Sequence, residues 1–185
     1  MTISVVIPAY NEEKYLSRTL ESLKHLTRRP DEVIVIDGGS TDKTVEVGKK
    51  CGARVVSVPH RGIGFARQKG VEAATSDIIA FTDADTLVPP DWLTKIEESL
   101  NQPGVAAVYS GFHVPDGWWP YRFFVNYFQP VSTFFFHWIG LPMAPGQNTS
   151  FWKAKALTAG GYPTEFKIAE DLEMARRIRK VGKLV

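Results

Sequence analysis

The 185-residue chain predicts an open α/β fold, a mostly parallel sheet flanked by helices, and three features carry the prediction. Short β-branched runs alternate with amphipathic stretches from residue 1 to about 110. The runs are continuously apolar, as suits parallel strands covered on both faces. Strand, helix and strand follow one another in order, which is the signature of a layered α/β sheet. With 44% hydrophobic and 23% charged residues, the chain can bury roughly 70% of its extended surface around a core.

The first strand covers Ile3 to Ile7 and is stopped by Pro8; no basic residues precede this short run, so it is not a signal peptide. Leu16, Leu20, Leu23 and Leu26 recur at helical spacing, and Pro30 closes that segment before a second strand, Val33 to Ile36. A helix over 42–50, a strand from Arg54 to Val58, a helix over 64–74 and a strand from Ile78 to Phe81 follow. Pro89 and Pro90 then favour a helix start over 91–100, before a strand from Val105 to Tyr109. Ile168, Leu172, Ala175 and Ile178 predict a last helix, with Glu170 and Asp171 in its first turn and Arg176, Arg177, Arg179 and Lys180 towards its end, an order that suits the helix dipole. Gly182 to Val185 reads as the beginning of another strand, with the expectation that further sequence follows.

Net charge is +2, from 22 Lys and Arg against 20 Asp and Glu, which excludes a surface built throughout to grip nucleic acid. The single cysteine, Cys51, allows no internal disulfide and no multi-Cys zinc site, so cytoplasmic residence is expected. Residues 118–138 hold 11 of the 22 aromatics, with Arg122 as the only formal charge. Asn126, Gln129, Pro130, Ser132, Thr133 and His137 interrupt the apolar character, so the segment reads as lying at a membrane surface, not spanning it. An aromatic core segment or a dimer interface would have the same composition. The basic end of the last helix reads either as a solvated face or as a second weak attraction to anionic headgroups.

The chemistry is concentrated in three loops that follow strands. Asp83-Ala84-Asp85 comes directly after Ile78 to Phe81; in extended chain the two carboxylates face the same way, at the sheet edge where α/β proteins bind ligands. Hard oxygen ligands of this kind suit Mg²⁺ or Mn²⁺, with the shell completed by a diphosphate. Turn-forming carboxylates would also look like this. Pro8-Ala9-Tyr10-Asn11-Glu12 follows the first strand, and Asp37-Gly38-Gly39-Ser40-Thr41-Asp42 the second. Gly38 and Gly39 allow close backbone approach, and Ser40 or Thr41 can cap the next helix. Asp37 can alternatively satisfy only its own loop's amides.

With these loops in order, VVIPAYNEE, VIVIDGGSTDKT, GFARQKGVEAATSDIIAFTDADT and GGYPTEFKIAEDLEMARRIRK, the sequence resembles family 2 glycosyltransferases of the GT-A fold over essentially its whole length. The resemblance implies one domain over 1–185: a nucleotide-sugar-binding half, 1–110, and an acceptor-binding half, 111–185, with a membrane-facing aromatic segment at 118–140. It implies that Pro8, Ala9, Tyr10 and Glu12 line the nucleotide pocket, that Asp37 contacts base or ribose, that Asp83 reaches the ribose or metal, and that Asp85 ligates the divalent ion. It further implies that Asp171 is the catalytic base. That agrees with the need of an inverting transfer for a carboxylate to accept the acceptor's proton, although a first-turn carboxylate also simply suits a helix amino terminus. Arg67 can sit near the diphosphate or be an exposed helical arginine.

Two departures from the family pattern stand out. The second strand ends in one aspartate, Asp37, with Gly38 where the family usually has another, and no QxxRW motif is present. The implied reaction is metal-dependent transfer from a nucleotide-diphosphate sugar, a UDP-sugar favoured over a GDP-sugar, and residues 118–138 add the expectation of a lipid-linked, glycolipid or polysaccharide acceptor at the cytoplasmic face of a membrane. The alternatives are a non-catalytic nucleotide-sugar-binding domain and a Mg²⁺-dependent haloacid-dehalogenase-like phosphohydrolase, whose paired aspartates also follow a strand. None of the four histidines, His25, His60, His113 and His137, has metal-ligand spacing, so each reads as structural or surface.

Overall fold

The computed structural model describes residues 1–111, 118–138, 148–164 and 169–185, the last three positions of the second stretch by their backbone only. Seven strands, β1 (Ile3–Ala9), β2 (Glu32–Asp37), β3 (Arg54–Ser57), β4 (Ile78–Phe81), β5 (Val105–Tyr109), β6 (Thr149–Trp152) and β7 (Lys183–Leu184), form one sheet in the order β3-β2-β1-β4-β6-β5-β7. The pairs β1–β2, β1–β4, β2–β3 and β5–β7 are parallel, while β6 runs antiparallel to both β4 and β5. The mostly parallel α/β architecture is therefore present, and the strand at Lys183 is the one begun by the terminal residues.

The chain leaves β1 towards β2 and β3, then returns to β4 on the other side of β1, so the strand order reverses at β1. Ligands of open α/β sheets bind in the crevice at such a reversal, outside the carboxyl ends of the strands. The register opens that crevice. Phe81, the last residue of β4, pairs with Val6, whereas β1 continues beside β2 until Ala9 meets Asp37. Pro8 thus lies beyond the end of β4, within a strand predicted to stop at Ile7.

Helices α1 (Leu16–Lys24), α2 (Thr44–Lys50) and α4 (Trp92–Leu100) and helices α3 (Ile63–Ala73), α7 (Lys153–Thr158) and α8 (Glu170–Ile178) contribute to two separate cores. Alternation along β1 makes the division: Ile3, Val5 and Ile7 join Leu16, Leu20, Leu93 and Ile96, whereas Val6 joins Val71, Phe81, Phe151 and Met174. Gly70 lets α3 lie directly on the sheet, since a Cβ there would stand 2.4 Å from Val6 Cγ1. Helix α8 differs from its predicted apolar stripe. Its buried residues are Glu170, Met174, Ala175 and Ile178, Leu172 is exposed, and Ile168 lies outside the described residues.

The aromatic segment forms a continuous helical run: α5 (Trp119–Phe123), a π-helical turn (Phe124–Phe128) and α6 (Gln129–Trp138). Its polarity is inverted relative to a soluble surface helix. Val125 is buried, and Arg122, Asn126, Gln129, Ser132 and Thr133 are half-buried, while Trp119, Phe128 and Phe134 are 73%, 57% and 73% exposed. The partly buried positions recur at helical spacing, so the inward stripe is polar and the outward surface aromatic. Phe124 stacks on Phe128 at 5.1 Å between ring centres, and Phe123 meets Tyr127 at 5.4 Å. An aromatic core segment would have these rings inside; they are outside. No helix among the described residues is long and apolar enough to cross a membrane.

Candidate active site

The loops after β1 and β2 are held together by hydrogen bonds that cross between them. Asn11 donates its backbone N–H to Ser40 Oγ at 2.9 Å, and its Oδ1 accepts the Thr41 N–H at 2.9 Å. Glu12 N–H donates to Thr44 Oγ1 at 2.7 Å, and Glu13 Oε2 accepts the Lys43 N–H at 3.0 Å. Asn11 has a φ of 56°, in the left-handed region that Asn tolerates better than most residues. Ser40 and Thr41, expected to cap α2, are therefore spent on Asn11, and the Thr44 N–H at the start of α2 is met by Asp42 Oδ1 at 2.9 Å.

A cleft of about 320 Å³ opens at this edge. Pro8 and Ala9 at the end of β1 line it with Tyr10 and Glu12 just beyond, Gly38 after β2, Asp83 and Asp85 after β4, Pro59, His60, Arg61 and Gly62 from the loop between β3 and α3, and Ile63 at the start of α3. Six of the nine residues singled out in the sequence thus share one cavity. Ala84 between the aspartates is buried, and its carbonyl accepts a bond from Thr19 Oγ1 at 2.7 Å, so the two carboxylates face the cleft from either side of an anchored residue. The chain turns here, with Thr86 N–H donating to Asp83 O at 3.3 Å, in place of the extended segment expected.

Three predicted residues are not in the cleft wall. Asp37 is buried, and its Oδ1 accepts the Ser40 N–H at 3.1 Å within its own loop. Arg67, which also read as an exposed helical arginine, is only 4% exposed. Its Nη1 donates to Glu170 Oε1 at 2.5 Å, its Nη2 lies 3.6 Å from Asp83 Oδ1, and its guanidinium carbon is 6.0 Å from the centre of the Tyr162 ring. Asp171 is half-buried in the first turn of α8, where its Oδ1 accepts the Leu172 N–H at 2.9 Å. Ala169, just before the helix, has a left-handed φ of 65°, a conformation unfavourable for a residue with a Cβ and one that recurs at functional sites. Glu170 turns inward from this point to Arg67, so the buried pair connects the helix bearing Asp171 to the aspartate on the cleft.

The electrostatics of the cleft are acidic. Burial raises the Asp83 carboxyl above the ordinary aspartate range, Arg67 opposes this, and Asp85 and Glu170 add to it. Glu12 is likewise raised, by burial first and then by Asp85, Asp42 and Asp83. Burial also pushes the Tyr162 hydroxyl well up, and that oxygen has no hydrogen-bond partner among the described residues. Among the described residues no group of three or more His, Cys, Asp or Glu side chains forms a metal site by itself. Asp83 and Asp85 nevertheless fit a hard divalent cation that takes its remaining oxygens from a bound ligand or water, as Mg²⁺ commonly does. The basic end of α8 is largely committed elsewhere: Arg176 and Arg177 bond Glu173 at 2.6 and 2.8 Å, which holds the Glu173 carboxyl down to about 2.

Sequence reasoning had not placed His60, Arg61 or Ile63 at the site. His60 is no isolated surface residue: its ring lies on Tyr10 with 4.2 Å between centres. The signal was available, because β3 is parallel to its neighbours and its following loop must reach the same edge.

Residues 4–172 match the family described as glycosyl transferase family 2. A glucosyl-dolichyl phosphate glucuronosyltransferase of Haloferax volcanii is 32% identical over 178 residues, covering 89% of this chain and 56% of that protein. A mannosyltransferase of Pyrobaculum calidifontis in complex with GDP-mannose and Mn²⁺ superposes with a TM-score of 0.79 at 24% identity, covering 99% of this chain and 53% of that one. Glucosyl-3-phosphoglycerate synthase of Mycobacterium tuberculosis, in complex with Mn²⁺, UDP and glucosyl-3-phosphoglycerate, superposes with a TM-score of 0.69 at 26% identity, covering 100% and 69%. The chain spans about half the length of the Haloferax and Pyrobaculum proteins. A seven-stranded, mostly parallel sheet of the GT-A kind and a family match over 169 of 185 residues lead to one assignment: the chain belongs to glycosyl transferase family 2.

Proposed function

We propose that this chain transfers a sugar with inversion from a nucleoside-diphosphate sugar, UDP-linked in preference to GDP-linked, to a lipid-linked acceptor at the cytoplasmic face of a membrane. The observation that carries the reading is the meeting, at one sheet edge, of Tyr10, Glu12, Asp83 and Asp85 from separate stretches, with Asp171 tied to them through Glu170 and Arg67. Pro8, Ala9 and Tyr10 offer the donor an apolar and aromatic wall, and Asp37 stiffens the adjoining loop. Asp83 and Asp85 would hold Mn²⁺ or Mg²⁺, whose charge stabilises the departing diphosphate. Asp171 accepts the proton of the acceptor hydroxyl as that oxygen attacks the anomeric carbon. The Mycobacterium structure with UDP and Mn²⁺ supports the donor and ion classes, and the Haloferax relative named for dolichyl phosphate supports the acceptor class.

Calorimetric titration with UDP and GDP, each with and without Mn²⁺, tests the donor and the ion together. Binding of UDP is expected to need Mn²⁺ and to weaken by about tenfold or more in Asp85→Ala, which loses one of two charged ligands. Binding that ignores both the ion and Asp85 would leave the aspartate pair as turn residues.

The inverted helix at 119–138 supports the membrane part of the reading. Soluble proteins rarely expose so many large rings together, and Trp and Tyr favour the bilayer interface. Flotation with anionic liposomes should carry the protein up. Because burying one Phe contributes about 1.5–3 kcal/mol, replacing Phe123, Phe128 and Phe134 by Ser is expected to reduce partitioning by roughly three orders of magnitude or more. Wild-type protein that stays at the bottom at low salt refutes the contact.

A further inference from the structure

The loop between β3 and α3 carries a group that the transfer reaction described above does not use. Val58 N–H donates to Asp37 O at 2.8 Å, which sends the loop along the end of β2, and Gly62, at φ 91°, turns the chain into α3. Between them His60 lies over the backbone of Gly38. Its Nδ1 is 3.2 Å from Gly38 O, and a Cβ at Gly38 would stand 3.8 Å from that nitrogen. A carbonyl oxygen only accepts, so the hydrogen is on Nδ1, and in the neutral ring Nε2 is left as a lone-pair acceptor directed away from Gly38. No other hydrogen bond to His60 is formed among the described residues.

His60, Tyr10 and Gly38 all line the cleft. The cleft therefore presents a fixed aromatic pair edged by one acceptor. Nucleobases differ at the position such an acceptor would read. Uracil carries a hydrogen on its ring nitrogen N3, whereas cytosine has a lone pair there and would set acceptor against acceptor. Guanine offers a comparable N–H together with an exocyclic amine that a single acceptor leaves unpaired. Only one aspartate ends β2, and it is buried with its Oδ1 engaged with Ser40, so a reader of the base from the neighbouring loop is chemically useful at this place.

We propose that His60 is a specificity-determining residue that reads the base of the donor through Nε2 and selects uracil over cytosine. The proposal rests on the nucleoside-diphosphate donor reading, and the test separates the two. UDP, CDP and GDP are titrated calorimetrically in the presence of Mn²⁺ against the wild type, His60→Phe and His60→Gln. His60 is exposed, so both variants are expected to melt close to the wild type, which the same samples check by thermal unfolding.

The wild type should bind UDP at least about tenfold more tightly than CDP, within the range of about 5- to 150-fold that one unpaired polar group produces, with GDP between them. His60→Phe retains a ring on Tyr10 but no acceptor, and should bring UDP and CDP to within about twofold of each other. His60→Gln offers an acceptor again, beside an amide donor that can meet the lone pair of cytosine, and should bind UDP more tightly than His60→Phe without the full wild-type preference over CDP. A folded Phe variant with the wild-type UDP to CDP ratio overturns the role of His60 and leaves the donor reading intact, and a Gln variant that binds UDP no more tightly than the Phe variant counts against the acceptor. Wild-type protein that binds none of the three nucleotides overturns the donor reading and this proposal with it.

Discussion

Asp171→Asn is expected to lower the rate of sugar transfer by about two to four orders of magnitude while leaving UDP affinity within about twofold of the wild type. The substitution changes charge and basicity with little change in volume, and the amide oxygen can still accept the Leu172 N–H that Oδ1 accepts at 2.9 Å. The expected loss is therefore that of a proton acceptor and not of a helix start. Position supports the distinction. Glu170 and Asp171 are consecutive, so they diverge by about 100° around the helix. Glu170 is buried on Arg67, and Asp171 is left half-buried on the neighbouring face. The measurement is kcat at saturating donor and acceptor, with nucleotide affinity by calorimetry on the same samples. Normal transfer by a folded Asp171→Asn protein would falsify the assignment.

How much of this was legible in the sequence depends on where each residue finds its partner. Strands β1 and β4 are fully buried runs such as Ile78 to Phe81, and even β3, exposed at Arg54 and Ser57, keeps the β-branched pair Val55 and Val56, so local composition suffices to see β1 to β5. Strand β6 escaped because Thr149 and Ser150 are polar and yet buried between β4 and β5, a placement that only the sheet dictates. The aspartates at 83 and 85 were visible because strand-end position is itself the signal. Arg67 was ambiguous because its partner Glu170 is 103 residues away, so nothing nearby distinguishes a buried cation from a solvated one. His60 was overlooked because its partners are a backbone carbonyl and the Tyr10 ring, which no histidine spacing records. For residues 118–138, composition showed the aromatics, but the inward polar stripe became apparent only with the helix. Gly64 illustrates the same limit on a smaller scale. A Cβ there would approach Pro163 O to 2.7 Å, a contact between segments a hundred residues apart that makes room for the Arg67–Glu170 pair.

That pair should give the largest effect on stability. Arg67→Ala leaves the Glu170 carboxylate buried without its cation and removes the charge beside the inner oxygen of Asp83. Breaking a buried ion pair from one side costs about 3–5 kcal/mol. For a domain of this size, that is a fall in Tm of roughly 6–20 °C, measurable by thermal unfolding monitored by circular dichroism. Arg67→Lys should fall between wild type and Ala, because one ammonium on a flexible stem cannot address both carboxylates as the guanidinium fork does. Replacing both partners, as Arg67→Met with Glu170→Leu, removes the unpaired charge and should recover most of the lost stability. Transfer should not recover with it. The double variant has no polar connection between Asp83 on the cleft and the start of α8, and the left-handed Ala169 no longer has an anchored Glu170 to hold the first turn against α3. Its kcat is therefore expected to stay at least about tenfold below the wild type, in keeping with the sensitivity of positioned reactions to small displacements. A double variant that is both stable and fully active would reduce the pair to a fold-holding contact. A stable variant with normal UDP affinity and depressed kcat would assign Arg67 and Glu170 to the positioning of Asp171.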